Sequence, residues 1–522
     1  MVITVEEFLQ KEDKHIDLLE REMTSSSWDA NITGKDEDYE KATNAQKKIT
    51  QYFNSKDRFE QIKAFLEQEQ DPLVKRQLEV LKDSYLSSQT DLDLLDKQIG
   101  ISNEIEQSFN SFRAKIKDRV VTDNEIKNIL KESIDSNEVS EAWHASKLQG
   151  EMVSEKVIEL AKLRNEIAKN LGFENYCDFS LSVGEQSEKE ISRIFKELEE
   201  LTREPFKKLK AEMDSNLAAK FNLDVKDLKP WHYGDSFFQH GPKMFNVNLD
   251  KIYERADILE IAKKFYKNIG LEVGDILAKS DLYEKPGKNQ HAFCTTLNRE
   301  GDVRILENLV NNEDWASTTL HELGHAVYEK YTARNLPFLL RTNAHTFVTE
   351  AVAMSLERLT KDTSFIKEYT GSELTQKEMS NLAMQEKQRQ LVFARWAMTV
   401  YGFEKELYSN PDQDLNKKWS ELVKKYQMID APGDKPIWAS KIHIPCYPMY
   451  YHNYLLGELL ASQIHAKARK ISPEKGLTDP TTGHFLINKI FSKGASLRWD
   501  KLIEESFGEG LSPKYFTEEL NR

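Results

Sequence analysis

Thr318-Thr319-Leu320-His321-Glu322-Leu323-Gly324-His325-Ala326-Val327 places a second histidine four residues after the first, with a glutamate between them. On a helix that spacing puts both imidazoles on one face, one turn apart, where they can hold one metal ion. The glutamate then sits where it can take a proton from a water on the metal rather than coordinate the metal itself. HExxH has only three fixed residues, so alone it also fits two polar residues on a solvated helix face. The flanks favour the functional reading. Asn312 is a candidate N-cap, Glu313 and Asp314 place acidic charge in the first turn, and the helix is expected over residues 313–335, stopping near Asn335 and Pro337.

A catalytic zinc ion needs a third protein ligand and an open position. Glu350 is the candidate, 25 residues after His325 in the apolar, helical-looking run Phe347-Val348-Thr349-Glu350-Ala351-Val352-Ala353-Met354. A lone carboxylate there is costly unless it is paired or bound to metal, although the rim of a buried helix would also tolerate it. Two helices, one bearing both histidines and one the glutamate, would form the scaffold of a gluzincin peptidase. Two imidazoles and a carboxylate suit zinc, one ion per chain, while leaving other divalent ions open. A purely structural zinc would call for a fourth protein ligand.

The composition sets the class. With 31% charged and 39% hydrophobic residues among 522, the chain reads as an ordinary soluble globular protein. A net charge of -14 argues against nucleic acid and anionic membrane as partners. The first residues lack a basic segment followed by an apolar one, and no run approaches a membrane span of about 18 apolar residues. Cys177, Cys294 and Cys446 are far apart and odd in number, which fits a reducing cytoplasm.

Outward from the motif, the rest of the chain reads mostly as helix. Residues 5–135 carry apolar positions at helical spacing, as in Phe8, Ile16, Leu19 and Met23, with charge runs such as Lys11-Glu12-Asp13-Lys14 read as solvated faces. Helices follow over 141–182, interrupted at Gly172 to Tyr176, and over 187–221. His232 and His240 fall in a loop without a partner at ligand spacing and read as surface residues or supports behind a site. Just before the HExxH helix, Thr295 to Asn298, a turn at Arg299-Glu300-Gly301-Asp302 and Val303 to Leu306 read as a hairpin. Such an edge could pair with an extended peptide or be purely structural. Downstream, helices are expected over 377–408 and 415–428, then an extended segment over 438–445 and a helix over 447–470 rich in tyrosine. Aromatic residues at that spacing fit a core as well as a site.

Several separate motifs, in the same order, resemble those of the peptidyl-dipeptidase A, or angiotensin-converting enzyme, family, with a more distant likeness to the thimet oligopeptidase family. They are Trp28 to Thr33, Leu163 to Phe179, His291-Ala292 with the hairpin, the HELGH helix, Glu350-Ala351, Lys441 to Pro445, and Tyr451-His452-Asn453-Tyr454. The resemblance implies a mainly α fold: one helical ellipsoid divided by a deep cleft, with a small hairpin beside the zinc. It implies a single peptidase domain over 1–522, a helical lid region at 1–135 and a catalytic core at 136–522. Carried over residue by residue, His321, His325 and Glu350 would hold zinc and Glu322 would be the general base. His443 and Tyr454 would stabilise the oxyanion. His291 and Ala292 would hold the substrate backbone, while Lys441 and Tyr451 would grip its C-terminal carboxylate. The expected partners are short peptides, and the expected state is a monomer.

Departures from the pattern qualify this. The stretch between His443 and the tyrosine pair is one residue longer, so Tyr450 competes with Tyr451 for the carboxylate clamp. Tyr233 falls where the clamp glutamine would be, leaving that residue without a counterpart. Met354 stands where the family has an aspartate that orients a zinc-bound histidine, so the surroundings of the ligands must differ. Asn453 and Val423 replace chloride-binding arginines, so chloride activation is not expected. The leading expectation is a peptidyl-dipeptidase releasing C-terminal dipeptides by attack of a zinc-held water. The alternatives are an oligopeptidase cutting internally and an inactive peptide-binding relative.

Overall fold

The computed structural model describes residues 3–245 and 247–521. Its helices include, in chain order, α1 (Val5–Thr33), α2 (Ser136–Asn170), α3 (Glu188–Phe221), α4 (Glu313–Tyr331), α5 (Thr346–Glu357), α6 (Gln376–Ser409), α7 (Leu415–Gln427) and α8 (His452–Ile471). Strand β1 (Ala114–Ile116) pairs antiparallel with β2 (Arg119–Val121), and β3 (Phe293–Thr296) with β4 (Val303–Leu306). The mainly α class expected from the sequence is the one found, and the β1/β2 pair is an addition to it. Among the described residues no helix is long and apolar enough to cross a membrane.

Tertiary contacts divide the chain into two compact units. The first comprises Met1–Gln89, Asn248–Leu374 and Leu456–Phe516. The second comprises Thr90–Val247, Thr375–Leu455 and Thr517–Arg522.

In the first unit, α1 starts at a capping box: the Glu7 N–H donates to the Thr4 hydroxyl while the Thr4 N–H donates to the Glu7 carboxylate. Its apolar face, Phe8, Leu9 and Ile16, packs against Ile62, Leu78, Leu81 and Tyr85. The charge run on this helix is not wholly solvated as expected. Glu12 is buried, accepting hydrogen bonds from Tyr52 at 3.0 Å and Tyr85 at 2.7 Å, hydroxyls supplied by helices distant in sequence. At its far end α1 is fastened to the hairpin region: Trp28 packs on Leu297 and Leu306, and the Asn289 N–H donates to the Asn31 carbonyl at 2.9 Å. Gly34 closes the helix at φ 65°, and a Cβ there would lie 2.0 Å from the Gly287 carbonyl oxygen, so only glycine serves.

The hairpin forms where expected but its first strand is shifted, running Phe293–Thr296 rather than Thr295 to Asn298. Asn298 belongs to the loop because its Oδ1 accepts the N–H groups of Glu300 and Asp302 and folds the chain back. Similarly, α4 ends at Tyr331 rather than near 335, and Arg334 donates to the Glu329 and Lys330 carbonyls at its end.

In the second unit α3, α6 and α7 match their expected spans to within a residue or two. Trp396 and Phe403 of α6 pack edge-on to Trp419 of α7, and Phe403 also meets Trp438. His232, expected at the surface or behind a site, is buried instead. Its Nδ1 accepts from the Lys229 N–H at 2.8 Å and its Nε2 lies 2.9 Å from the Ser136 hydroxyl, so it braces the start of α2. The stretch expected to be extended over 438–445 is instead a 3-10 turn, Ile437–Ser440, followed by a short helix, His443–Cys446. Its i to i+3 bonds, Ala439 to Pro436 and Lys441 to Trp438, are too few for any periodicity to reveal.

The tyrosine-rich helix α8 begins at His452, not Tyr447. Pro448 and Met449, the latter at φ 55°, hold the chain in a turn, and Glu404 of α6 accepts the Met449 N–H at 2.6 Å. Glu404 is buried, its Oε2 has no hydrogen-bond partner among the described residues, and burial pushes its carboxyl up to about 8 against the Met449 N–H and Arg164. The folded state therefore keeps a proton that the unfolded chain releases near 4.5, so this group makes stability fall as pH rises from 4.5 to about 8. Glu404→Gln is expected to flatten that fall. Thermal unfolding followed from about pH 5 to about pH 9 checks it, and parallel curves for wild type and variant would refute it.

Candidate functional site

In the first unit α4 and α5 cross closely. A Cβ at Gly324 would stand 2.7 Å from the Ala353 Cα, so the glycine of HELGH allows the two backbones to approach. Asn312 caps α4 as expected, accepting from the Trp315 N–H at 2.8 Å. The approach brings together the three expected ligands. The Nε2 atoms of His321 and His325 are 3.1 Å apart, and Glu350 Oε2 lies 3.6 Å from the first and 4.0 Å from the second. Ligand atoms around a tetrahedral zinc with bonds of about 2.0–2.1 Å stand roughly 3.3–3.4 Å apart, so these side chains fit the ion with small adjustments. His321, His325 and Glu350 form the candidate metal cluster among the described residues.

The Nδ1 atoms of both histidines are already engaged. His321 Nδ1 lies 2.5 Å from Glu357 Oε2, and His325 Nδ1 lies 2.7 Å from the Thr349 hydroxyl. Both Nε2 atoms are thereby directed at the cluster. Glu357 ends α5 and is the orienting carboxylate that could not be assigned at Met354; Met354 instead lies against Gly457. Reading on from Glu350 by seven residues, two helical turns, would have found it.

Glu322 is buried between the histidines in sequence. Burial lifts its carboxyl to about 7; His321 opposes the shift, while Glu350 and Glu357 add to it. That is a range in which a carboxylate can take and return a proton near neutral pH. His291 is exposed immediately ahead of β3, its N–H donating to Asn289 Oδ1 at 2.9 Å, and Ala292 leads into the strand. The other side of β4 is bridged by Asp281, which leaves β3 as the edge strand among the described residues.

The second unit gathers the remaining sequence-expected residues. Lys441 is buried, and its Nζ donates to Gln239 Oε1 at 2.9 Å. That nitrogen lies 5.1 Å from the Tyr451 ring centroid and 5.3 Å from that of Trp396. Burial pushes Lys441 down to about 8, with Asp235 opposing. The Tyr451 ring stands 5.1 Å from His443 and 5.5 Å from Tyr454, while Tyr450 packs on Tyr454. Tyr451 is therefore the tyrosine beside Lys441. Burial, with Lys441 adding to it, drops His443 to about 4, so its imidazole is neutral at pH 7.

The clamp glutamine was expected to be missing, with Tyr233 in its place. Tyr233 is buried elsewhere, donating to Asp214 and accepting from Lys210. A glutamine does lie against Lys441, namely Gln239, six residues further along. Asp235 holds that loop, accepting the N–H groups of Phe237, Gln239, His240 and Gly241. An aspartate opening an irregular aromatic loop was the available signal.

The family model described as peptidase family M3 matches residues 137–522. The chain belongs to that family. The model described as angiotensin-converting enzyme matches residues 3–230, so both likenesses seen in the sequence are present. The angiotensin-converting enzyme of Theromyzon tessulatum is 20% identical over 492 residues, covering 85% of this chain and 79% of that protein. Carboxypeptidase 1 of Bacillus subtilis (strain 168) is 24% identical over 262 residues, 44% of this chain and 52% of the relative. This M3 member is thus a metallopeptidase, of families whose enzymes use zinc.

Replacing Glu357 by alanine is expected to weaken zinc binding roughly 10- to 100-fold, because His321 loses the partner that orients it. Competition against a chromophoric chelator measures this, and an unchanged affinity would remove Glu357 from the site.

Proposed function

We propose that this M3 peptidase is a peptidyl-dipeptidase that removes dipeptides from the free C-termini of short peptides. The observation that carries the specificity is the buried ammonium of Lys441, set against Gln239 and the Tyr451 ring. A buried point charge whose direct contacts are a neutral amide and aromatic rings is suited to a single carboxylate. One of the relatives is named a carboxypeptidase, which agrees with action at that end.

His321, His325 and Glu350 would hold one zinc ion, which when bound supplies a Lewis acid for the scissile carbonyl. Glu322 takes the proton of the attacking water and returns it to the leaving amine. Glu357 and Thr349 keep the two imidazoles in the tautomer that directs Nε2 inward. By the resemblance, the neutral His443 and Tyr454 donate to the oxyanion, and losing one such donor costs on the order of 100- to 1000-fold in turnover. His291 and Ala292 hold the substrate backbone, and the edge position of β3 supports main-chain pairing with an extended peptide.

The test is digestion of an octapeptide by the zinc-loaded protein with products identified by mass over time. Successive loss of C-terminal dipeptides, stopped by a chelator and restored by zinc, is the expected result. Internal cuts would instead place the protein among oligopeptidases, and binding without cleavage would leave a peptide-binding protein.

A further inference from the structure

Lys147 has no part in the roles assigned above. It projects from α2 and is 4% exposed, yet among the described residues no hydrogen bond or ion pair reaches its ammonium. Its Nζ lies 3.3 Å from the Phe237 ring centroid and 5.3 Å from that of Trp143. Lys441 Nζ faces the same Phe237 ring at 5.7 Å, so the two ammoniums are no further apart than those two lengths to Phe237 laid end to end. Ring faces replace only part of the hydration an ammonium loses on burial, and two like charges beside one ring oppose each other.

One carboxylate bears on both lysines. Asp235 acts electrostatically on each, though its oxygens are spent on backbone N–H groups of the 237–241 loop. His240 also feels Asp235 and Lys441, and the loss of hydration around its ring holds it below its ordinary value. The local sum is two ammoniums against one carboxylate. One further carboxylate brings it to neutrality. Without Lys147, Asp235 and Lys441 would already balance, and the group would offer a substrate anion no net attraction.

We propose that Lys147 is a specificity-determining residue, supplying the second positive charge that makes the surroundings of Lys441 a site for one carboxylate, the free C-terminus of a peptide. This rests on the dipeptidase reading and adds a residue to it. Burial, with Lys441 acting the same way and Asp235 against, pushes the Lys147 ammonium well below its usual range, and an arriving carboxylate would oppose that loss of the proton.

The experiment compares two octapeptides, alike except that one ends in a free acid and the other in an amide. The full-length zinc-loaded protein is assayed as wild type, Lys147→Met, Lys147→Gln and Lys441→Met. Wild type is expected to prefer the acid through KM. Both Lys147 variants should raise KM for the acid roughly 10- to 100-fold, leaving its kcat and the kcat/KM of the amide unchanged. Their melting temperatures should be equal to or above that of wild type, since an uncompensated buried charge has been removed. If Lys441→Met abolishes the acid preference and both Lys147 variants retain it, the inference fails while the dipeptidase reading stands. Lowered melting temperatures in both Lys147 variants would assign the residue to structure and overturn the inference. No acid preference in the wild type would overturn the dipeptidase reading, and the inference with it.

Discussion

The contact between Gly324 and Ala353 decides how near α4 and α5 can come. Side chains at a helix crossing set the distance between axes, and here the two smallest residues meet. On either side of Gly324 stand the histidines, and three residues before Ala353 stands Glu350. Any larger residue at position 324 would push apart the backbones that bring the carboxylate to within 3.6 and 4.0 Å of the two imidazole nitrogens. Gly457 of α8 repeats the device from another direction, since a Cβ there would come within 3.3 Å of the Glu350 Cβ.

Electrostatics give the first unit an acidic bias that His321 and Lys288 relieve only in part. Glu322, Glu350 and Glu357 bear on His321, and burial lifts Glu322 to about 7 and Glu307, which accepts from Thr319, to about 8. Carboxyls crowded in a low-dielectric setting disfavour one another's ionisation, and a bound dication reverses that preference. The donor set and the charge excess therefore favour the same kind of ion. The second unit has the opposite bias, with Lys147 and Lys441 buried around Phe237, which is the setting that the proposed recognition of a carboxylate requires. Neither bias would be tolerated in a site built only for stability, where buried charges are matched within the protein.

The parts of this arrangement legible in sequence are those with a local cause. Spacing places His321 and His325 on one face, Asn312 caps the helix they share, and the cost of a lone carboxylate in an apolar run singles out Glu350. Turn residues mark the hairpin to within two positions. What escaped depends on partners distant in sequence. Glu12 belongs to a charged run and is buried only because Tyr52 and Tyr85 reach it. Gln239 lies in a loop whose shape comes from Asp235, and it meets Lys441 some two hundred residues later. Glu357 had a local signal, its helical register with Glu350, but comparison with a family pattern drew attention to Met354 instead. The extent of α8 was overestimated because Pro448 and the left-handed Met449 outweigh the helical spacing of the tyrosines.

Whether His321, His325 and Glu350 hold zinc while Glu322 moves the proton is decided by Glu322→Gln. Zinc per chain and kcat/KM on one peptide are measured for wild type and variant together. About one zinc is expected in each protein, with turnover lowered roughly 100- to 10,000-fold in the variant. A variant that cleaves as fast as wild type at equal zinc content would contradict these roles, as would a wild type that cleaves without zinc.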